Sequence, residues 1–155
     1  MKQIARRGAA LLTAGVVAAC GLTVSTPASA EITTTTCGTG PVQALNIKAC
    51  VDVSGGYVRI YGIVGARGIS EPPGTPMNVR ATVSGEIAGG ASLGSNSRGL
   101  SIWNNSFTVE GPSAFVACGS TVRATVSVTP GPSGPGGGGI PPVLTPVSID
   151  VPVFY

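Results

Sequence analysis

Histidine is absent from the 155 residues, and that absence decides most of the chemistry open to the chain. It removes the Ser-His-Asp triad, the Cys-His pair and the common zinc sites. A Ser–Lys arrangement would have to use Lys48, and no Ser-x-x-Lys precedes it. Asp52, Glu71, Glu86, Glu110 and Asp150 supply carboxylates. A glycosidase needs two of these about 5–10 Å apart in one cleft, with one of them protonated. Each stands alone in a polar or turn-like context, where carboxylates are usually solvated or capping. No catalytic residue is therefore assigned, and the chain is expected not to be an enzyme. The glycine run 136–139 follows prolines and opens no helix, so it is no phosphate loop. No cofactor and no metal is expected.

Binding chemistry is better represented. Tyr57, Arg59 and Tyr61 share one side of an alternating stretch, a row able to stack on sugar rings or meet a protein. The competing expectation, and the favoured one, is that this side packs under a loop or against a second sheet. Trp103, followed by Asn104 and Asn105, is a candidate ligand patch, although burial of a lone tryptophan is the stronger expectation. Arg67 lies in the Gly/Pro-rich stretch 65–76. It would be the P1 residue if that stretch were a protease-inhibitor loop, which requires a preorganised backbone.

The elements that position these residues begin after a leader. Lys2, Arg6 and Arg7 precede the small, apolar stretch 8–22, and Ala28-Ser29-Ala30 fits a signal-peptidase site, with the cut before Glu31. The expected division is a secretion signal at 1–30 and one domain at 31–155, secreted and extracellular. Val17-Ala18-Ala19-Cys20 is also similar to a lipobox. Lipidation at Cys20 would instead tether the domain to the outer membrane face, the only membrane association expected. Without the leader, six basic and six acidic residues cancel. No basic field is left for nucleic acid, and the expected partner is an envelope glycan or protein of unknown identity.

Removing the leader leaves Cys37, Cys50 and Cys118, an odd number for an exported chain. Cys50 shares its parity with Lys48 and Asp52, whereas Cys118 shares its parity with Val116 and Val122. This favours a Cys37–Cys50 bridge, with Cys118 a buried free thiol. A turn at Gly38-Thr39-Gly40-Pro41 would have to return Cys37 to reach, because an extended chain separates the two. A bulge at Gly119 would reverse the parity and permit Cys50–Cys118 instead.

Val, Thr, Ser, Gly and Pro dominate the rest, a mixture that favours strands and turns. Residues 31–40 look like a polar lead-in or an extended edge segment. Alternating patterns predict strands at 46–53, 57–64, 77–84, 100–109, 114–129 and 147–155, with a short edge strand conceivable at 87–93. Ser54-Gly55-Gly56 makes a tight hairpin of the first two. Glu110-Gly111-Pro112 reads as a turn, and 130–142 as a Gly/Pro-rich loop. Pro152 marks the last strand as an edge. Six or seven strands without helices predict a single antiparallel β-sandwich, loosely Ig-like, with a small barrel as the alternative.

Two strings carry a resemblance: Ala49-Cys50-Val51-Asp52-Val53-Ser54-Gly55-Gly56 running into Tyr57-Val58-Arg59-Ile60-Tyr61-Gly62, and Cys118-Gly119-Ser120-Thr121-Val122-Arg123-Ala124. Both resemble small secreted β-domain proteins of actinobacteria whose function is uncharacterised, over about a third of the domain. The long Gly/Pro loop departs from them. The resemblance implies export and a compact β domain, and no activity.

Overall fold

The computed structural model describes residues 33–42, 45–67, 76–131 and 145–155. The leader at 1–30 and most of the stretches 65–76 and 130–142 lie outside the described residues. Within them run eight strands: β1 (Thr34–Val42), β2 (Leu45–Ser54), β3 (Tyr57–Ala66), β4 (Met77–Ile87), β5 (Ser92–Ile102), β6 (Ser106–Phe115), β7 (Thr121–Pro130) and β8 (Val147–Pro152). They form two four-stranded sheets, ordered β1-β2-β3-β6 and β5-β4-β7-β8. All pairings are antiparallel. The sheets stack as a sandwich and do not close into a barrel. The order β5-β4-β7-β8 reproduces the C′-C-F-G neighbour order of variable-type immunoglobulin sheets.

Alternation explains the stacking. Ile47, Ala49 and Val51 of β2 and Val58, Ile60 and Val64 of β3 point into one core. There they meet Val79, Ala81 and Val83 of β4 and Val122, Ala124, Val126 and Val128 of β7. Each fully buried Val or Ile contributes about 1.5–3 kcal/mol. Small β-branched side chains bring the sheets close together. A Cβ added at Gly62 would lie 2.9 Å from Val126 Cγ2 and 3.0 Å from Val83 Cγ2. The β2–β3 turn uses Gly55 at φ 51° and Gly56 at φ 81°, as a two-residue hairpin with positive φ at both centres requires.

The count of eight exceeds the expected six or seven for three physical reasons. The lead-in pairs along β2 as a full edge strand, β1. The polar stretch 92–98 continues into β5 because β4 supplies its ladder. A hydroxyl contact between Thr82 and Ser97 (2.8 Å) replaces apolar pairing there, and Ser101 donates to Asn78 Oδ1 (2.7 Å) further along the same pair of strands. The expected strand at 100–109 is divided by a bend at 103–105, and the expected strand at 114–129 by a turn at 116–120. Conversely, Glu110-Gly111-Pro112 is no turn. It lies within β6, where Gly111 and Pro112 together oppose Ile60 and form a bulge. Gly119, at φ 83°, belongs to the 116–120 turn and to no strand. β8 is an edge strand that ends at Pro152.

Candidate binding surface

The outer face of the first sheet is built by the β2–β3 hairpin, with β1 and β6 flanking it. Register places side chains there in rows. Tyr57 stands opposite Ser54 and Phe115, and Arg59 stands between Asp52 and Ser113. Tyr61 stands between Cys50 and Glu110, and Ile63 between Lys48 and Thr108. The expectation that this side packs under a loop or a second sheet is not met, because Tyr57 and Arg59 are exposed.

Arg59 organises the polar part. Its Nε and Nη2 donate to the two carboxylate oxygens of Glu110 at 3.0 and 2.6 Å. Nη1 lies 3.8 Å from Asp52 Oδ2. Hydrogen bonding to Glu110 raises the guanidinium pKa above its ordinary value, with the charge of Glu110 adding to it. The guanidinium also lies 5.4 Å from the Tyr61 ring centroid, within cation–π range. Asp52 Oδ1 accepts from Thr35 Oγ1 at 2.7 Å and from Tyr61 Oη at 3.4 Å. Burial, and then the neighbouring Asp52 charge, push the Tyr61 phenol above its usual pKa.

Rings gather at the hairpin end of this face. Tyr57 and Phe115 meet edge-on, with centroids 5.2 Å apart and planes at 62°. Val116 N–H donates to Gly56 O, fastening the 116–120 turn to the hairpin. Val153 pairs with the same turn, donating to Ser120 O and accepting from Gly119 N–H. This carries Phe154 and Tyr155 to the same end, where the Tyr155 ring covers Gly56. Phe115 is 81 % exposed, Phe154 70 %, Tyr155 60 % and Tyr57 39 %.

The other sequence-predicted residues lie elsewhere. Trp103 is 46 % exposed and occupies the β5–β6 bend, with Ile102 taking the core position beside it. That corrects the expectation of a buried tryptophan. It also removes Trp103 from the Tyr57–Arg59–Tyr61 row, since Asn105 O accepts from Ala66 N–H at the opposite end of β3. Arg67 is exposed one residue beyond β3, which already includes Gly65 and Ala66, and 68–75 lie outside the described residues. Cys37 and Cys50 are directly opposed in the β1–β2 register and joined, with Cα atoms 4.1 Å apart. The expected return turn at 38–41 is absent, because these residues belong to β1 and β2 folds back beside it. Cys50 has outward parity yet is fully buried. Cys118 is not the expected free thiol: it is disulfide-bonded. The parity argument failed there because Cys118 lies half-buried in the 116–120 turn rather than on a strand.

Glu71 lies outside the described residues, and the four other candidate carboxylates are committed to arginines. Asp52 and Glu110 flank Arg59, and on the second sheet Glu86 and Asp150 flank Arg123, at 3.5 and 2.7 Å. Hydrogen bonding to Arg123 holds the Asp150 carboxyl below its usual range. A general acid needs the opposite shift. Among the described residues no cluster of three or more metal-ligating side chains occurs. Sequence reasoning did not single out Phe115, Phe154 or Tyr155. The available signal was parity, since Phe115 and Phe154 each sit beside an inward valine, Val116 and Val153.

No family model matches the chain, and neither a curated protein nor a solved structure is detectably similar to it.

Proposed function

We propose that this chain is an exported, non-catalytic binding or cell-envelope structural domain, contacting its ligand through the hairpin end of the first sheet. One observation carries the reading: Tyr57 and Phe115 meet edge-on, and the Tyr155 ring covers the neighbouring Gly56, so three exposed rings share one end of the sandwich. Exposed apolar groups scattered singly mean little, whereas a contiguous group marks an interaction site. The fixed Asp52–Arg59–Glu110 network beside them supplies polar contacts already held in place, which lowers the ordering cost of binding. Export rests on the leader, with cleavage before Glu31 and lipidation at Cys20 as its two outcomes.

Two measurements test this. The intact mass of the natively produced protein should begin at Glu31, or at a lipidated Cys20. A mass that retains the residues before Cys20 overturns export. Labelled protein should be retained on envelope fractions of its source cells, and Tyr57→Ala with Phe115→Ala should abolish that retention. Retention indifferent to both substitutions overturns the assigned surface.

A further inference from the structure

We infer that the surface around Tyr57, Arg59 and Phe115 takes a neutral carbohydrate strand, an inference that rests on the binding function proposed above. The argument is from the order of chemistries along β3. The first row offers two rings set at 62° to one another, which form an apolar corner. The next outward row is two residues on, about 7 Å along the strand, and holds the Arg59–Glu110 pair with Asp52 beside it. A pyranose presents apolar C–H faces and a hydroxyl rim at that same scale. Its face stacks in the corner while its hydroxyls meet the polar row.

The polar row keeps capacity for such a ligand. Arg59 spends its Nε and Nη2 on Glu110, and its Nη1 makes only a 3.8 Å approach to Asp52. A guanidinium carries five N–H donors, so those on Nη1 are open to hydroxyl acceptors. Glu110 is half exposed, and each of its oxygens retains a lone-pair site for a hydroxyl donor. These groups are paired before any ligand arrives, so a sugar meets them without first having to order them.

Charge and topology weigh against other occupants. One arginine against two carboxylates leaves this cluster without a positive field, and Lys48, two rows away, brings the face to neutrality. Nucleic acid and anionic polymers require that field. Interfacial lipid binding wants basic side chains around the apolar ones. A peptide adding as a strand would engage the backbone edge of β6, whereas Tyr57 and Arg59 present side chains from the outer face of β3, an interior strand.

The test is an amide chemical-shift titration of the natively exported full chain. Its neutral arm uses soluble glucan, mannan and galactan. Polygalacturonate and phosphatidylcholine vesicles are the contrasting arms. At least one neutral polysaccharide should give saturable shifts centred on Tyr57, Arg59 and Phe115. Tyr57→Ala and Phe115→Ala should each weaken binding roughly tenfold, as loss of one stacking ring does. Trp103→Ala, at the far end, should leave it unchanged. Response to polygalacturonate or vesicles alone, or neutral binding that survives Tyr57→Ala, overturns the inference. If no neutral polysaccharide shifts these amides while envelope retention still needs Tyr57 and Phe115, the carbohydrate inference falls and the binding function stands. If retention is also indifferent to those rings, both fall.

Discussion

Arg59 and Glu110 form a two-toothed ion pair although they do not stand opposite one another. Ser113 is the register partner of Arg59, and Glu110 is the partner of Tyr61. The bulge at Gly111 and Pro112 sets this offset, and Glu110 reaches diagonally to the guanidinium at 2.6 Å. Both side chains are about half exposed, so solvent screening keeps the pair's share of stability small. Arg59→Lys retains the charge and removes the fork. Its expected cost is under about 1 kcal/mol in urea denaturation. A loss several times larger would mean that the pair holds β6 in place rather than presenting polar groups outward.

Asp150 gives the second sheet an acid-sensitive link. Its pKa is lowered in the folded state from the ordinary 3.8 by hydrogen bonding to Arg123. A lowered folded pKa contributes stability that is fully present above the unfolded value and is lost as pH falls through the folded one. Asp150→Asn should therefore lower the urea midpoint at pH 7. That gap should narrow as the pH is taken below the ordinary value. A gap that is unchanged in acid would show that the Arg123 pairing does not set the effect.

Gly62 is a packing requirement. The methyl of Gly62→Ala would lie about 3 Å from methyls of both Val126 and Val83, which belong to neighbouring strands of the opposite sheet. Overpacking of this kind costs roughly 1–3 kcal/mol. Gly99, where an added Cβ meets nothing within 4 Å, is the matched control. Gly99→Ala should change stability by no more than a few tenths of a kcal/mol, the scale of surface substitutions. Equal losses at both sites would place the cost in the backbone rather than in the inter-sheet contact.

The Cys37–Cys50 bridge clips on a strand that gives the core almost nothing. Residues 34–40 contribute no buried side chain, and Gly38 and Gly40 lie against Ile149 and Val147 of β8. The bridge spans 13 residues. Closing a loop of that size is worth about 2–4 kcal/mol, mainly through the unfolded chain. Cys37→Ser combined with Cys50→Ala should lower stability by that amount. Amide exchange should accelerate first in β1. If β1 kept the protection of β2 and β3, the ladder alone would be enough to hold it.

The strands legible in the sequence were those with apolar alternation. β2, β3 and β4 appear within a few residues of their observed bounds, because one face of each is a row of Val, Ile and Ala. β5 was illegible over 92–98, since Ser, Gly and Asn pair there through backbone and hydroxyls rather than through apolar burial. The 116–120 turn was hidden because Val116 and Val122 keep one parity across it, and this is what misplaced Cys118. At the candidate surface, Tyr57, Arg59 and Tyr61 were readable from alternation within a single strand. Phe115 and Tyr155 were not, because only the fold brings the end of β6 and the C-terminal residues to the β2–β3 hairpin.

Trp103 offers the least demanding check of the fold as a whole. It is the chain's one tryptophan, so its fluorescence reports a single site. Its backbone N–H donates to Asn105 Oδ1 at 3.1 Å within the β5–β6 bend, and Ile102 rather than Trp103 fills the core beside it. A ring placed there keeps contact with water. Native emission should lie toward the red, acrylamide should quench it readily, and unfolding should shift it little. Carbohydrate bound at the Tyr57 end should leave it unchanged, because the two sites lie at opposite ends of β3. Blue-shifted emission protected from quenching would instead put the indole in the core. The β5–β6 bend would then have to move, carrying with it the register that seats Phe107 opposite Val64.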